Sequence, residues 1–180
     1  MTLHANRNKK MEEQMKNIIL IGMPGSGKST AGVVLAKLLG YGFVDSDLLI
    51  QEQEGRLLPD IIAAEGVEEF IKIENHVNSN IETTEKVIAT GGSAVYGHEA
   101  MEHLRSIGTV VYLKWSLEEI AERLGDLVER GVALKEGQDL TALYEERCPL
   151  YEKYAHITVE CEEQSIEELA KQIATLAGLV

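Results

Sequence analysis

Residues 17–32 read NIILIGMPGSGKSTAG, and this stretch decides the fold. Asn17 to Ile21 is a short apolar run without alternation, as expected of a strand buried on both faces. Lys28 to Leu39 then takes up helical apolar spacing and stops at Gly40. Between them, Gly22 to Ser29 complete the pattern G-x-x-x-x-G-K-S. Glycines at these positions let the backbone wrap so that successive N–H groups point at phosphate oxygens, while the following helix turns its positive end to the same anion. Gly25, Ser26, Gly27 and Thr30 are therefore candidate phosphate contacts. Lys28 supplies a point charge at the β and γ phosphates, and the Ser29 hydroxyl is a candidate Mg²⁺ ligand. A purely structural glycine turn is the competing explanation.

The strand–helix rhythm recurs outward from this motif. Strands are expected at 42–44, 86–89, 109–113 and 157–159, with helices between them, which predicts an α/β fold with a parallel five-stranded sheet and right-handed crossovers. Ser116 with Glu119, and Ser165 with Glu168, are capping boxes that open two of the helices. Residues 125–138 break any period with Gly131 and Gly137 and read as a mobile lid. Residues 1–16 carry a charge of +2 without apolar periodicity and read as a flexible extension, leaving 17–180 as one domain.

Composition narrows the function classes. The chain has 180 residues and a formal charge of −13, which argues against nucleic-acid binding, since that rests on clustered Lys and Arg. No apolar run reaches the roughly 20 residues of a membrane span. Cys148 and Cys161 form no CxxC pair, and the five histidines lack helical ligand spacing, so a reducing, cytoplasmic setting is expected.

Two further segments carry chemistry. Asp45-Ser46-Asp47 follows the second strand, at the end of the sheet where ligands bind in open α/β folds. Asp45 is a candidate holder of a Mg²⁺ water, and Asp47 a candidate partner of an acceptor hydroxyl. An N-cap role for Asp45 or Ser46 is the alternative. Thr90-Gly91-Gly92-Ser93 puts side-chain-free backbone just past the third strand, where a small ligand can approach closely or the chain merely turns.

With these pieces in order, the chain resembles the shikimate kinases. The motifs that carry the resemblance are IGMPGSGKSTAG, FVDSD, EEF with Glu74, VIATGGS, GTVVYL and RCPLYEKYA. It implies a three-layer P-loop kinase with strand order 2-3-1-4-5. It also implies ATP- and Mg²⁺-dependent phosphorylation of shikimate, an aromatic-pathway intermediate. A monomer is expected. By resemblance Asp47, Gly91 and Gly92 contact the acceptor, and Arg147 grips its carboxylate. Arg130 in the lid reaches the phosphates, Arg123 packs on adenine and Gln164 lies near it. Departures from the family pattern fall on the implied acceptor site and the lid. Ile71 stands where the family pattern has an Arg and Val67 where it has a Glu steadying that Arg. Ser93 replaces a third glycine, and the lid reads Arg130-Gly131-Val132-Ala133-Leu134. A kinase for another polyol or hydroxy acid, a nucleotide kinase, and an idle nucleotide-binding regulator are the rival readings.

Overall fold

The computed structural model describes residues 17–124, 132–161 and 164–180. The expected extension 1–16, and residues 125–131 of the expected lid, lie outside the described residues.

Five strands, β1 (Asn17–Ile21), β2 (Gly42–Asp45), β3 (Lys86–Ala89), β4 (Gly108–Lys114) and β5 (Ile157–Glu160), form one sheet in the order β2-β3-β1-β4-β5. Every pairing is parallel. Among the described residues the helices are α1 (Lys28–Leu39), α2 (Ser46–Glu54), α3 (Leu58–Glu65), α4 (Val67–Ser79), α5 (His98–Ile107), α6 (Leu117–Leu124), α7 (Leu140–Tyr154) and α8 (Ile166–Leu176). All of β1 is buried, because parallel crossovers put helices on both faces of the central strands. α1 packs on α8, and α4 on α5, giving the three-layer arrangement. Both expected capping boxes form: the hydroxyls of Ser116 and Ser165 accept from the Glu119 and Glu168 amides, and the two carboxylates accept in return.

The strands at 42–45, 108–114 and 157–160 each run one residue or more beyond the expected bounds. The chain turns helical at Ser46, so Asp45 ends β2 while Asp47 sits in the first turn of α2. Asp45 caps that helix, its Oδ1 accepting from the Asp47 amide at 3.0 Å.

Apolar side chains divide into two clusters. The larger lines both faces of the sheet, with Ile19, Leu35, Ile88, Val111 and Tyr151 fully buried. The smaller joins Ile50, Leu58, Ile61, Phe70 and Val77 from α2, α3 and α4 to Ala133, with Val67 packed against it. Phe70 is 2% exposed there, and truncation to Ala at such a site costs about 3–5 kcal/mol. This second cluster is what holds α2–α4 as a wall facing the phosphate-binding loop.

Candidate active site

The segments just past β1, β2 and β3 converge on one cleft of about 600 Å³. Beside β1 the chain reverses its direction of travel across the sheet, which is where open parallel sheets form their ligand crevice. One wall is the 22–29 loop and the start of α1; the other carries Asp47, Phe70, Gly91, Gly92, Ala133 and Arg147.

The loop wall follows from glycine chemistry. Gly25 and Gly27 have φ of 77° and 83°, left-handed values that side chains resist. Gly27 is the N-cap of α1 and brings no side-chain cap, and no acidic residue stands in the first turn, so the first-turn amides and the dipole remain for an anion. Lys28 is 7% exposed, and its Nζ donates to the Gly22 and Met23 carbonyls, both at 2.8 Å, and to Ser26 Oγ at 3.2 Å. Burial pulls its ammonium down to about 8, and Asp47 opposes that shift. Beneath the loop, Trp115 Nε1 donates to the Ser26 carbonyl at 3.0 Å, and the Arg123 guanidinium lies 3.7 Å over the indole ring.

Ser29 and Asp45 meet at 2.6 Å, the hydroxyl donating to Oδ2. A hydroxyl and a carboxylate oxygen beside a phosphate loop are hard donors of the kind Mg²⁺ takes, with waters and phosphates completing its shell, so the residues present fit that ion. Among the described residues no cluster of three His, Cys, Asp or Glu side chains offers an all-protein metal site.

The facing wall is built around buried charge. Arg147 is 1% exposed; its Nη2 donates to the Ala133 carbonyl at 2.7 Å and its Nε to Tyr96 Oη at 3.2 Å. Glu74 is 1% exposed and its Oε2 accepts from the Ser93 hydroxyl at 2.5 Å. A Cβ at Gly91 would stand 2.4 Å from Glu74 Oε1 and 2.7 Å from Asp47 Oδ1, so close approach, not turn geometry, demands glycine there. Tyr151 Oη donates to the Gly92 carbonyl at 2.6 Å and fixes the next residue of that turn. Burial first, then Asp45, raises Asp47 to about 6; burial first, then Asp47, raises Glu74 to about 7. Among the described residues, the buried side-chain polar atoms without a partner are Asp47 Oδ1, Glu74 Oε1 and both amide atoms of Asn78. Two of these four belong to this wall, as expected where a ligand supplies the missing bonds.

The cleft brings together Gly25, Gly27, Lys28, Ser29, Thr30, Asp47, Gly91, Gly92, Arg123 and Arg147. Ser26 and Asp45 stand behind that lining as partners of Lys28 and Ser29. Gln164 is outside it, its Nε2 donating to Gln172 Oε1 at 3.1 Å, and Ile166 faces the cleft in that region instead. Arg130 lies outside the described residues. Sequence reading missed Trp115, Tyr151, Phe70 and the Ser93–Glu74 bond, whose partners are brought together only by the fold. The Lys28 side chain is buried and ties the loop together, which its role as a point charge did not reveal.

A glycine loop with Lys and Ser at the end of a parallel strand, facing a walled pocket with a carboxylate, defines a P-loop phosphotransferase. Residues 24–177 match the family profile described as shikimate kinase. A shikimate kinase from Chlorobium phaeovibrioides is 36% identical over 178 residues, covering 91% of this chain and 90% of its own. The structure of shikimate kinase from Acinetobacter baumannii in complex with shikimate superposes with a TM-score of 0.83 at 36% identity, covering 93% of this chain and 95% of that one. That of the Aquifex aeolicus shikimate kinase gives 0.74 at 36% identity, with coverages of 88% and 94%. The chain belongs to the shikimate kinase family.

Proposed function

We propose that this chain transfers the γ-phosphoryl group of ATP to a ring hydroxyl of shikimate, giving 3-phosphoshikimate and ADP. The observation that carries the reading is the pairing, across one cleft, of the phosphate loop with a wall bearing Asp47 and the buried Arg147. Loop amides and Lys28 bind the triphosphate and neutralise charge as it moves to the leaving oxygen. Arg147 fixes the acceptor carboxylate, which presents the hydroxyl to Asp47. As the new O–P bond forms and the bond to the ADP oxygen breaks, the hydroxyl proton passes to Asp47. Ser29, with Asp45 behind it, would hold Mg²⁺, which supplies further neutralisation at the phosphates when bound. Arg123 meets the adenine, and Arg130 closes over the transferring group. The acting unit is a cytoplasmic monomer.

One observation favours a second acceptor class. Leu58, Phe70, Val132 and Ala133 make much of the acceptor wall apolar, and Arg147 is its one guanidinium among the described residues apart from Arg123 on the donor side. That wall suits a less charged hydroxy compound. A panel of shikimate, quinate and simple polyols, with ADP release and ³¹P spectra of the products, decides between them. Turnover of shikimate at micromolar to low millimolar concentration is expected; turnover of the polyols alone overturns the assignment.

A further inference from the structure

Val67, Ile71, Glu74 and Asn78 follow one another at intervals of four, three and four residues on α4, so they share one face of the helix. The first two are half-buried and apolar, and Val67 packs into the smaller apolar cluster. The last two are fully buried and polar, and each keeps at least one polar atom unpartnered. Glu74 thus enters the acceptor wall with no cation on its own helix face. The nearest lysine in sequence, Lys72, turns away and pairs with Glu69 at 2.8 Å, its side chain 71% exposed.

What Glu74 has instead is a hydroxyl. Ser93, 5% exposed, donates to Oε2 at 2.5 Å, a short bond of the kind an O–H makes to a carboxylate. That bond fixes the carboxyl so that Oε1 is directed at the space over Gly91, beside Asp47 Oδ1. The charged groups acting on Glu74 are Asp47 from the start of α2, Lys28 from α1 and Arg147 from α7. A carboxylate is the costlier form of an acid in such a place unless a cation faces it directly.

We infer that Ser93 is the positioning residue that fixes Glu74 without a cation, so that an anionic acceptor binding at Arg147 brings about uptake of a proton by Glu74. This rests on the acceptor of the proposed reaction being an anion. A second negative charge entering the pocket repels an ionised Glu74 and favours the neutral acid, whose O–H on Oε1 then donates to the acceptor. The proton comes from solvent and returns there when the product leaves. Binding weakens once solvent pH exceeds the point at which free Glu74 ionises, about 7.

Three proteins test this: the unmodified chain, Ser93→Ala and Ile71→Arg. In the unmodified chain the acceptor KM should rise about three- to tenfold from pH 7 to 8.5. Ser93→Ala removes a bond that favours the ionised form, so the rise moves to higher pH. Ile71→Arg places a guanidinium one turn from Glu74, holds it ionised and abolishes the rise. Superimposable profiles for all three overturn the inference. A readout without acceptor separates it from the reading it rests on: the ¹³C shift of the labelled Glu74 carboxyl, followed against pH. It should titrate near 7, higher in Ser93→Ala and lower in Ile71→Arg. If shikimate is not phosphorylated, the acceptor reading fails. If the carboxyl titrates at the same pH in Ser93→Ala as in the unmodified chain, the Ser93–Glu74 coupling fails, whether or not the Ile71→Arg protein folds.

Discussion

The phosphate wall of the cleft takes its groups from one continuous stretch, Gly22 to Thr30, whereas the acceptor wall draws Asp47, Phe70, Gly91, Ala133 and Arg147 from five separate segments. The first wall works mainly through backbone amides held by the loop's own geometry, with Trp115 bracing it from below. The second works through side chains held by a small apolar cluster and a chain of buried polar bonds. A local, backbone-made site admits little variation, since each glycine and the lysine answer to phosphate geometry. A site assembled from distant segments can exchange one partner for another. Ile71 and Val67 share the α4 face of Glu74, and Ser93 bonds to that carboxylate.

The comparison breaks most visibly at Lys28. Lys28→Met should lower kcat by about 10³-fold, because a single preorganised charge donor at the transferring group is worth that order. It also leaves the Gly22 and Met23 carbonyls without their donor, so the thermal midpoint should fall; unchanged turnover at saturating ATP refutes the donor assignment. Arg147→Met removes the cation of the facing wall. The acceptor KM should rise about a hundredfold, the worth of roughly two charge-assisted hydrogen bonds, with the ATP KM little altered. An equal rise in both constants would mean the two walls are not separable.

Stability gives a subtler contrast. Glu74 rises from 4.5 when unfolded to about 7 in the folded chain, so folding favours its neutral form. The resulting stability is complete below pH 4.5 and is lost as pH rises through 7, amounting to roughly 3 kcal/mol by pH 8. Glu74→Gln, which keeps an acceptor for Ser93, should therefore resist urea better than the unmodified chain at pH 8 and equally at pH 5. Greater resistance at pH 5 alone would reverse the sign. Lys72→Ala marks the lower end of the scale. Its exposed pair with Glu69 is solvent-screened, so neither melting nor acceptor KM should change; a raised KM would show that Lys72 serves the acceptor after all.

The same contrast governs what was legible in the sequence. The phosphate loop, five strands and two capping boxes are local patterns, and they could be read because spacing alone specifies them. Strand order came through resemblance, since no local pattern encodes which strand lies beside which. On the acceptor wall only fragments were visible. Ser93 and Glu74 lie 19 positions apart and Tyr151 and Gly92 lie 59 apart, so those bonds exist only once α4, α7 and the turn after β3 have packed. The burial of Lys28 was hidden for a related reason: its partners are carbonyls of its own loop, which composition treats as solvent-facing backbone. Asp45 takes the N-cap alternative, accepting from the Asp47 amide with one oxygen while the other meets the Ser29 hydroxyl.

Trp115 is the one tryptophan of the chain. Its indole touches the Ser26 carbonyl through Nε1 and the Arg123 guanidinium through its face, both on the wall proposed for nucleotide. Indole emission is sensitive to both contacts, and no other fluorophore of that kind competes with it. Occupancy of the donor half can therefore be followed optically in the unlabelled protein, with no acceptor present and no turnover. The acceptor half has no such residue, so the molecule carries its own gauge for one of its two ligands and stays dark to the other.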